Sequence, residues 1–470
     1  MTPPAVAGDW VVRGILPVIS RMRMDHDGAG SLHMWGDEVP VTADVRDGQP
    51  VLETSPDAHF PLVIRCTVNG DVLRMRFTNV GVEFDLTFDR AGEAEIAAHA
   101  AAQPVATPAP VGPDVTTNGL ATAPPMGWNS WYGLRLRITD ELVREVADAL
   151  VEMGLRDAGY TFVTLDDGWQ GGRGADGEIL PNRGFPDMPA LGRKLHDLGL
   201  GFGIYSSPGP ATCADYTGSF GYEEQDARTF ARWGVDFLKY DWCSAGALYR
   251  TEEEMRGIFQ RMGRALRESG RPIVFSLCQY GAFDVPRWGA TVGGNLWRVS
   301  YDVEDRWESI EAIGFAEHST PVGGWNDLDM LQIGLGGLSD VEYRTQMAIW
   351  AMRSAPLILS CDPRDLSASE LHILTNRDII AIDQDPLAAP VERHRIGAVD
   401  VWVKRLRVGH AVAFLNRTED VVEARMTWEH IGLAHPARTR DAWTGVEAPA
   451  SPEWSVALAA HESIVLRLLS

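Results

Sequence analysis

Phe237-Leu238-Lys239-Tyr240-Asp241-Trp242-Cys243 decides how the chain is read. Apolar and aromatic residues run into a carboxylate, and the run stops at Cys243-Ser244-Ala245-Gly246, a turn composition. That is the pattern of a buried strand delivering its last residue, Asp241, to a strand-to-helix corner. In parallel α/β folds such corners line the place where chemistry occurs. Lys239, two positions earlier, shares the face that carries Asp241, because strand side chains alternate with a period of two. Asp241 is therefore the candidate nucleophile, and the other residues are placed around it.

Outward from this strand a strand–loop–helix rhythm repeats. Short apolar runs occur at Phe162–Leu165, Gly201–Tyr205, Val235–Tyr240, Ile273–Leu277, Leu296–Ser300 and Pro356–Ser360, with further strands near Met126–Trp131 and Thr320–Trp325. Amphipathic helices separate them. The clearest is capped by Thr139, with Leu142, Val143, Val146, Leu150 and Met153 at helical spacing; others cover about 222–233, 251–268 and 340–353. Eight βα units over roughly 265 residues fit a (β/α)8 TIM barrel, and a doubly wound sheet is the alternative that periodicity leaves open.

The flanks have a different texture. Residues 1–100 are β-rich, with alternating segments Pro61–Thr67, Val72–Phe77 and Val82–Phe88 and Asn69-Gly70 as a hairpin turn, which predicts a small antiparallel sandwich. Residues 101–123, dominated by Ala, Pro, Thr and Gly, read as a semi-extended linker. Beyond Val391 the segments Val399–Arg405, His410–Asn416, Val422–Trp428 and Ser463–Leu468 alternate without a long helix, which predicts a C-terminal antiparallel β-sandwich. The expected fold is α/β: an N-terminal β domain (1–100), the linker (101–123), a catalytic TIM barrel (124–390) and a C-terminal sandwich (391–470).

Composition narrows the function. The chain of 470 residues is 45% hydrophobic and 23% charged, as soluble proteins are, and has no apolar run long enough for a membrane span. A net charge of −23 opposes binding to nucleic acid, which needs a basic surface. The N-terminus has neither a basic nor an apolar signal region, so the expected location is cytoplasmic as the chain stands, and secreted if a leader has been removed. Five scattered cysteines form neither a disulfide scaffold nor a zinc site. Nothing in the sequence sets an oligomeric state.

In a TIM barrel the residues just beyond each strand's C-terminal end line the site. Taken in order these are Trp128, Asn129 and Trp131; Asp166, Asp167 and Trp169; Tyr205 and Ser206; Lys239 and Asp241; Cys278, Gln279 and Tyr280; Arg298 and Asp302; then Trp325, Asn326, Asp327 and Asp329. Any one aspartate here could simply cap a helix, and any tryptophan could be core. Capping does not explain their occurrence together with Lys, Arg and aromatic residues at successive strand ends. Several carboxylates, two cations, amides and aromatic faces suit a polyhydroxylated sugar. No histidine stands at ligand spacing and the cations compete for the same space, so neither a metal nor a cofactor is expected. Cys278, with no histidine near it in sequence, reads as a structural thiol.

These motifs resemble glycoside hydrolase family 27, the α-galactosidase family. The resemblance rests on Pro125-Met126-Gly127-Trp128-Asn129-Ser130-Trp131, Leu165-Asp166-Asp167-Gly168-Trp169, Gly203-Ile204-Tyr205-Ser206-Ser207-Pro208-Gly209, Leu238-Lys239-Tyr240-Asp241-Trp242-Cys243, Trp297-Arg298 with Asp302, Gly323-Gly324-Trp325-Asn326-Asp327 with Asp329-Met330, and Ile382-Asp383-Gln384-Asp385-Pro386. It implies a retaining exo-glycosidase for terminal α-D-galactosides, with Asp241 as nucleophile and Asp302 as acid/base. It also implies that Trp128, Asp166, Asp167, Tyr205, Lys239, Gln279, Arg298 and Asp329 hold the sugar, and that Cys213 and Cys243 form a disulfide beside it. Two positions depart from the pattern: Gln279-Tyr280 replaces a frequent Glu-Trp, and Leu328 replaces a proline. The first leaves open a β-L-arabinopyranosidase or an α-N-acetylgalactosaminidase with the same catalytic pair; a non-catalytic carbohydrate-binding protein is the reading from another class.

Retaining hydrolysis needs two carboxyl groups roughly 5–5.5 Å apart in different protonation states. Lys239 is expected to keep Asp241 ionised while Asp302 holds a proton, and Arg298 is expected to point at the substrate and away from Asp302.

Overall fold

The structure is a computed structural model that describes residues 6–13, 19–34, 37–55, 62–79 and 82–469. Residues 1–5, used in the leader argument, and Pro61, the predicted start of a strand, lie outside the described residues.

The N-terminal strands close on themselves. Gly8–Val12, Ile19–Met24, Ala29–Met34, Asp37–Arg46, Gln49–Thr54, Val63–Asn69, Val72–Asn79 and Val82–Arg90 form an antiparallel meander, and the last strand pairs with the first through Trp10↔Arg90, Val11↔Asp89 and Val12↔Phe88. The predicted sandwich is thus a closed barrel. Both architectures produce the same alternation in sequence; only the pairing of first with last strand, a contact across the whole domain, separates them. Inward positions bury Trp10, Met22, Leu32, Leu52, Ile64, Leu73, Met75 and Phe88 completely. The expected hairpin is present, with Asn69 paired to Val72 across a Gly70-Asp71 turn in which Gly70 has φ +63°.

After the helix Glu93–Ala102 the linker is extended but seated. Gly112 N donates to Gln260 Oε1 at 2.7 Å, and the Asn118 and Asn295 side-chain amides donate to each other at 3.1 and 2.8 Å. The strap lies so close to helix Glu252–Glu268 that a Cβ at Gly257 would come within 1.5 Å of the Ala109 carbonyl oxygen.

The central sheet is parallel and eight-stranded, in the order Trp325–Asp327, Leu296–Arg298, Val274–Cys278, Phe237–Asp241, Gly201–Ser206, Phe162–Thr164, Met126–Asn129 and Leu357–Leu359. Its two ends meet where Leu331 bridges Leu359 in parallel and Leu331 N donates to Ile358 O at 2.8 Å, which closes the TIM barrel. The helix Asp140–Glu152 forms for reasons legible locally: the Thr139 hydroxyl accepts from Leu142 N at 3.2 Å, and Val143, Val146, Ala147 and Leu150 face the sheet.

The C-terminal region pairs a six-stranded sheet with the two-stranded sheet Val422–Thr427 and Glu453–Leu458. Val401, Val412, Phe414 and Leu466 pack against Ala424, Met426, Val456 and Leu458 between them, so the sandwich is present. Lys404 is buried at its seam with the barrel, where its ammonium donates to Ala351 O, Ser354 Oγ and Ile382 O at 2.7–2.8 Å. No helix among the described residues is long and apolar enough to cross a membrane.

Candidate active site

The C-terminal ends of the barrel strands surround a cavity of about 320 Å³. Of the residues singled out from sequence, Asp166, Asp167, Tyr205, Cys213, Lys239, Asp241, Cys243 and Asp302 line it. Arg298 and Asp329 stand directly behind, 2% and 3% exposed. Trp128 and Gln279 do not line it. Trp128 is wholly buried in the barrel core, with its indole Nε1 donating to Cys361 O at 2.7 Å. It alternates with Asn129, whose side chain reaches Asp166 at the mouth, and so lies on the opposite face of the strand; Trp131, which opens the short helix Trp131–Leu134 after that strand, lines the cavity instead. Gln279 is also buried, and neither atom of its amide has a hydrogen-bond partner among the described residues, while the neighbouring Tyr280 lines the cavity.

Two cations and three ion pairs organise the floor. Lys239 Nζ meets Asp166 Oδ2 at 2.8 Å, and Asn129 Nδ2 donates to the same oxygen at 2.7 Å. The Ser130 hydroxyl accepts from Asp166 N at 2.9 Å, and Asp166 Oδ1 accepts from Asp167 N at 2.9 Å. On the opposite side Arg298 lies 3.1 Å from Asp302 Oδ1 and 3.2 Å from Asp329 Oδ2. Asp329 Oδ2 also accepts from Tyr132 Oη at 3.0 Å and Val303 N at 2.9 Å. Arg298 therefore grips Asp302, contrary to the expectation that it would point away. It is too deeply buried to extend beyond the carboxylates, and two of them compete for it.

Electrostatics follow from that arithmetic. Six aspartates (166, 167, 241, 302, 327 and 329) share Lys239, Arg298 and the less buried Arg135, so burial is incompletely offset. Burial pushes Asp241 up to about 6; Lys239 opposes the shift, Asp302 adds to it, and a hydrogen bond from Tyr280 opposes it. The lysine helps to keep Asp241 ionised, as expected, but its direct partner is Asp166 and burial outweighs it. Burial likewise pushes Asp167 up to about 7 against the donation of Ala214 N to its Oδ2 at 2.8 Å, and Asp327 up to about 6 against Arg298. Asp302 is raised by burial despite Arg298, although 31% of its side chain remains exposed to the cavity. Burial works against the Lys239 ammonium, yet Asp166 and its other anionic neighbours raise its pKa overall.

Cys213 and Cys243 are disulfide-bonded, and Tyr205 Oη lies 3.0 Å from Cys243 Sγ. These sulfurs and an Asp241 oxygen fall within 4.8 Å of one another, but joined as a disulfide they offer no thiolate to a metal. Cys278 is buried and its thiol is raised well above the ordinary range by that burial, which fits the structural reading. Leu328, where the resemblance has proline, is fully buried in the core.

Sequence reasoning named none of Tyr132, Tyr301, Tyr249, Arg250 and Phe283, and it quoted Trp242 and Met330 within motifs without giving them a role at the cavity. Tyr132 follows strand Met126–Asn129 and could have been found by reading one position beyond Trp131. Trp131 and Met330 also belong to the N-terminal barrel's hydrophobic cluster, with Tyr132 packed against it, so that domain forms the outer support of one cavity wall. Only the folded arrangement reveals this.

A barrel with paired acids at its strand ends and aromatic walls defines a carbohydrate-cleaving class of enzyme. The family described as Alpha galactosidase A matches residues 123–385, and Alpha galactosidase C-terminal beta sandwich domain matches residues 396–468. An alpha-galactosidase of Cyamopsis tetragonoloba is 40% identical over 339 residues, covering 69% of this chain and 81% of that protein. The structure of alpha-galactosidase I from Mortierella vinacea superposes with a TM-score of 0.71 at 32% identity, covering 76% of this chain and 99% of that one. A Bacteroides fragilis structure, with a TM-score of 0.69 at 31% identity, covers 100% of this chain and 97% of its own. The chain belongs to the Alpha galactosidase A family, within glycoside hydrolase family 27, and is a glycoside hydrolase acting on carbohydrate.

Proposed function

We propose that this hydrolase removes terminal α-D-galactosyl groups with retention of anomeric configuration, using Asp241 as nucleophile and Asp302 as acid/base. The observation that carries the reading is that Asp241, at the end of strand Phe237–Asp241, and Asp302, beyond strand Leu296–Arg298, face one cavity, with Arg298 paired to Asp302 and the charge of Lys239 favouring the ionised form of Asp241. The relatives named as alpha-galactosidases support the choice of sugar. In the first step an Asp241 oxygen bonds to the anomeric carbon as the glycosidic bond breaks, and Asp302 gives its proton to the departing oxygen. In the second, Asp302 takes a proton from water, whose oxygen replaces Asp241 at the same carbon. Burial favours a protonated Asp302 at the outset.

Asp166, Asp167, Lys239 and Tyr205 are assigned to the sugar hydroxyls. Asp167 Oδ1, buried without a partner among the described residues, is the acceptor best placed to gain one from a bound hydroxyl. In this reading Arg298 and Asp329 act behind Asp302, the aromatic wall is Trp131 in place of Trp128, and Gln279 has no direct contact. The division into residues 1–100, 101–123, 124–390 and 391–470 is part of the same proposal.

The test is a panel of nitrophenyl α-D-galactoside, β-L-arabinopyranoside and α-N-acetylgalactosaminide, with the first-formed anomer followed by NMR. Fastest turnover of the galactoside with the α-anomer formed first is expected. An inverted first product overturns the double displacement, and preference for another glycoside overturns the sugar.

A further inference from the structure

Asp241 accepts a hydrogen bond from a strand-end residue to which the resemblance gives no role: Tyr280 Oη donates to Asp241 Oδ1 at 2.7 Å. The ring of Tyr280 stacks on that of Tyr301, with centroids 5.9 Å apart and planes 16° from parallel. Tyr301 is the residue before Asp302. One side chain thus bonds to one catalytic carboxylate and leans on the segment that carries the other.

The backbone is bent to achieve this. Tyr280 has φ +59°, and Gly281, Phe283 and Asp284 follow at +80°, +55° and +51°. Three non-glycine residues in left-handed backbone within five positions form a concentration that ordinary loops avoid. Gly281 cannot be replaced without a shift, since a Cβ there would come 2.5 Å from Val299 O. With extended backbone at position 280, the phenol would leave the strand end in another direction.

We propose that Tyr280 is a positioning residue for the reaction: it holds Asp241 Oδ1 so that Oδ2 faces the anomeric carbon, and it keeps the carboxylate ionised in a site short of cations. The inference rests on Asp241 being the nucleophile. In the first step the C1–Oδ2 bond forms as the glycosidic bond breaks, and Oδ1 becomes the ester carbonyl oxygen, still bonded to the phenol. In the second step charge returns to the carboxylate as C1–Oδ2 breaks, and the same donor stabilises it. Tyr280 keeps its proton throughout, so nothing beyond substrate and water enters the balance.

The other groups facing Asp241 divide by sign. Lys239 favours the ionised form, and Asp302 and Asp166 oppose it. Asp167, Tyr205 and Cys278 add no positive charge. Tyr280 is thus the neutral donor that assists the single neighbouring ammonium.

Tyr280→Phe keeps the ring and removes the donor. A hydrogen bond to a charged group at this strength corresponds to a roughly ten- to hundred-fold fall in kcat/KM, with the acid limb of its pH profile moved to higher pH and the melting temperature held. A fluorotyrosine at 280, a stronger donor of nearly the same shape, should move the limb to lower pH, which keeps the question answerable if the Phe variant folds poorly. Unchanged limbs in the folded variants overturn the inference. Trapping with 5-fluoro-α-D-galactosyl fluoride followed by peptide mapping separates the two levels. A label on Asp241 with unmoved limbs refutes only the role of Tyr280, whereas a label elsewhere refutes the nucleophile and this inference with it.

Discussion

Lys239→Met is the substitution whose outcome the site geometry constrains most tightly. The Lys239 and Asp166 side chains are 13% and 3% exposed and meet at 2.8 Å. At an effective dielectric constant near 20 their attraction is about 6 kcal/mol before desolvation is counted. Removing one partner of a buried pair costs about 3–5 kcal/mol, because it strands the other charge. At about 2 °C per kcal/mol for a domain this large, the melting temperature should fall by roughly 6–10 °C. The pKa of Lys239 is raised by folding, so the pair's contribution is fully present below the unfolded lysine's value near 10.4 and is lost only as pH rises beyond it. Removing the lysine also removes a charge that lowers Asp241, so the variant takes up protons more readily and the fall in melting temperature should be smaller at pH 5.5 than at pH 8. Adding Asp166→Asn removes the stranded charge, so the double variant should regain more than half of the lost stability while staying inactive. Calorimetry on wild type, both single variants and the double variant gives the coupling directly. A single variant melting within 2 °C of wild type, or a double variant no more stable than Lys239→Met, refutes the argument.

Other outcomes follow from the same map. With Asp241 raised to about 6 by burial, the acid limb of kcat/KM should lie near pH 6, well above an ordinary aspartate, and a limb near 4 would contradict that burial. Asp241, Asp327 and Asp167 all bind protons more tightly folded than unfolded; the stability this confers is present at low pH and lost as pH rises through 6 to 7, so the melting temperature should increase from pH 8 to pH 5.5. Asp302→Asn should lose at least a hundred-fold on alkyl galactosides but far less on nitrophenyl ones, whose leaving group needs little protonation; equal loss on both would remove its acid/base role. Trp131→Ala should raise KM and also lower the melting temperature, because Trp131 lines the cavity and belongs to the N-terminal barrel's cluster, whereas Trp128→Ala should destabilise by about 3–5 kcal/mol with KM held in the folded fraction; a KM raised by Trp128→Ala and not by Trp131→Ala would restore Trp128 to the cavity.

The amino-acid sequence by itself determined the strand–helix rhythm, the strand whose end carries Asp241, the helix capped by Thr139, the C-terminal strands 399–405 and 410–416, and the set of acids that share one barrel mouth. These depend on alternation, helical spacing and caps, which are local, and on the rule that strand ends of a TIM barrel converge. Tertiary structure decided what depends on distant neighbours: that the first eight strands close into a barrel, that Lys239 pairs with Asp166, that Arg298 holds Asp302, and that Trp131 faces the cavity while Trp128 fills the core. Tyr280 shows the division most plainly. Its place after strand Val274–Cys278 was readable, but its hydroxyl reaches Asp241 only because the chain adopts a left-handed turn there, and the energy that holds such a turn comes from the surrounding fold.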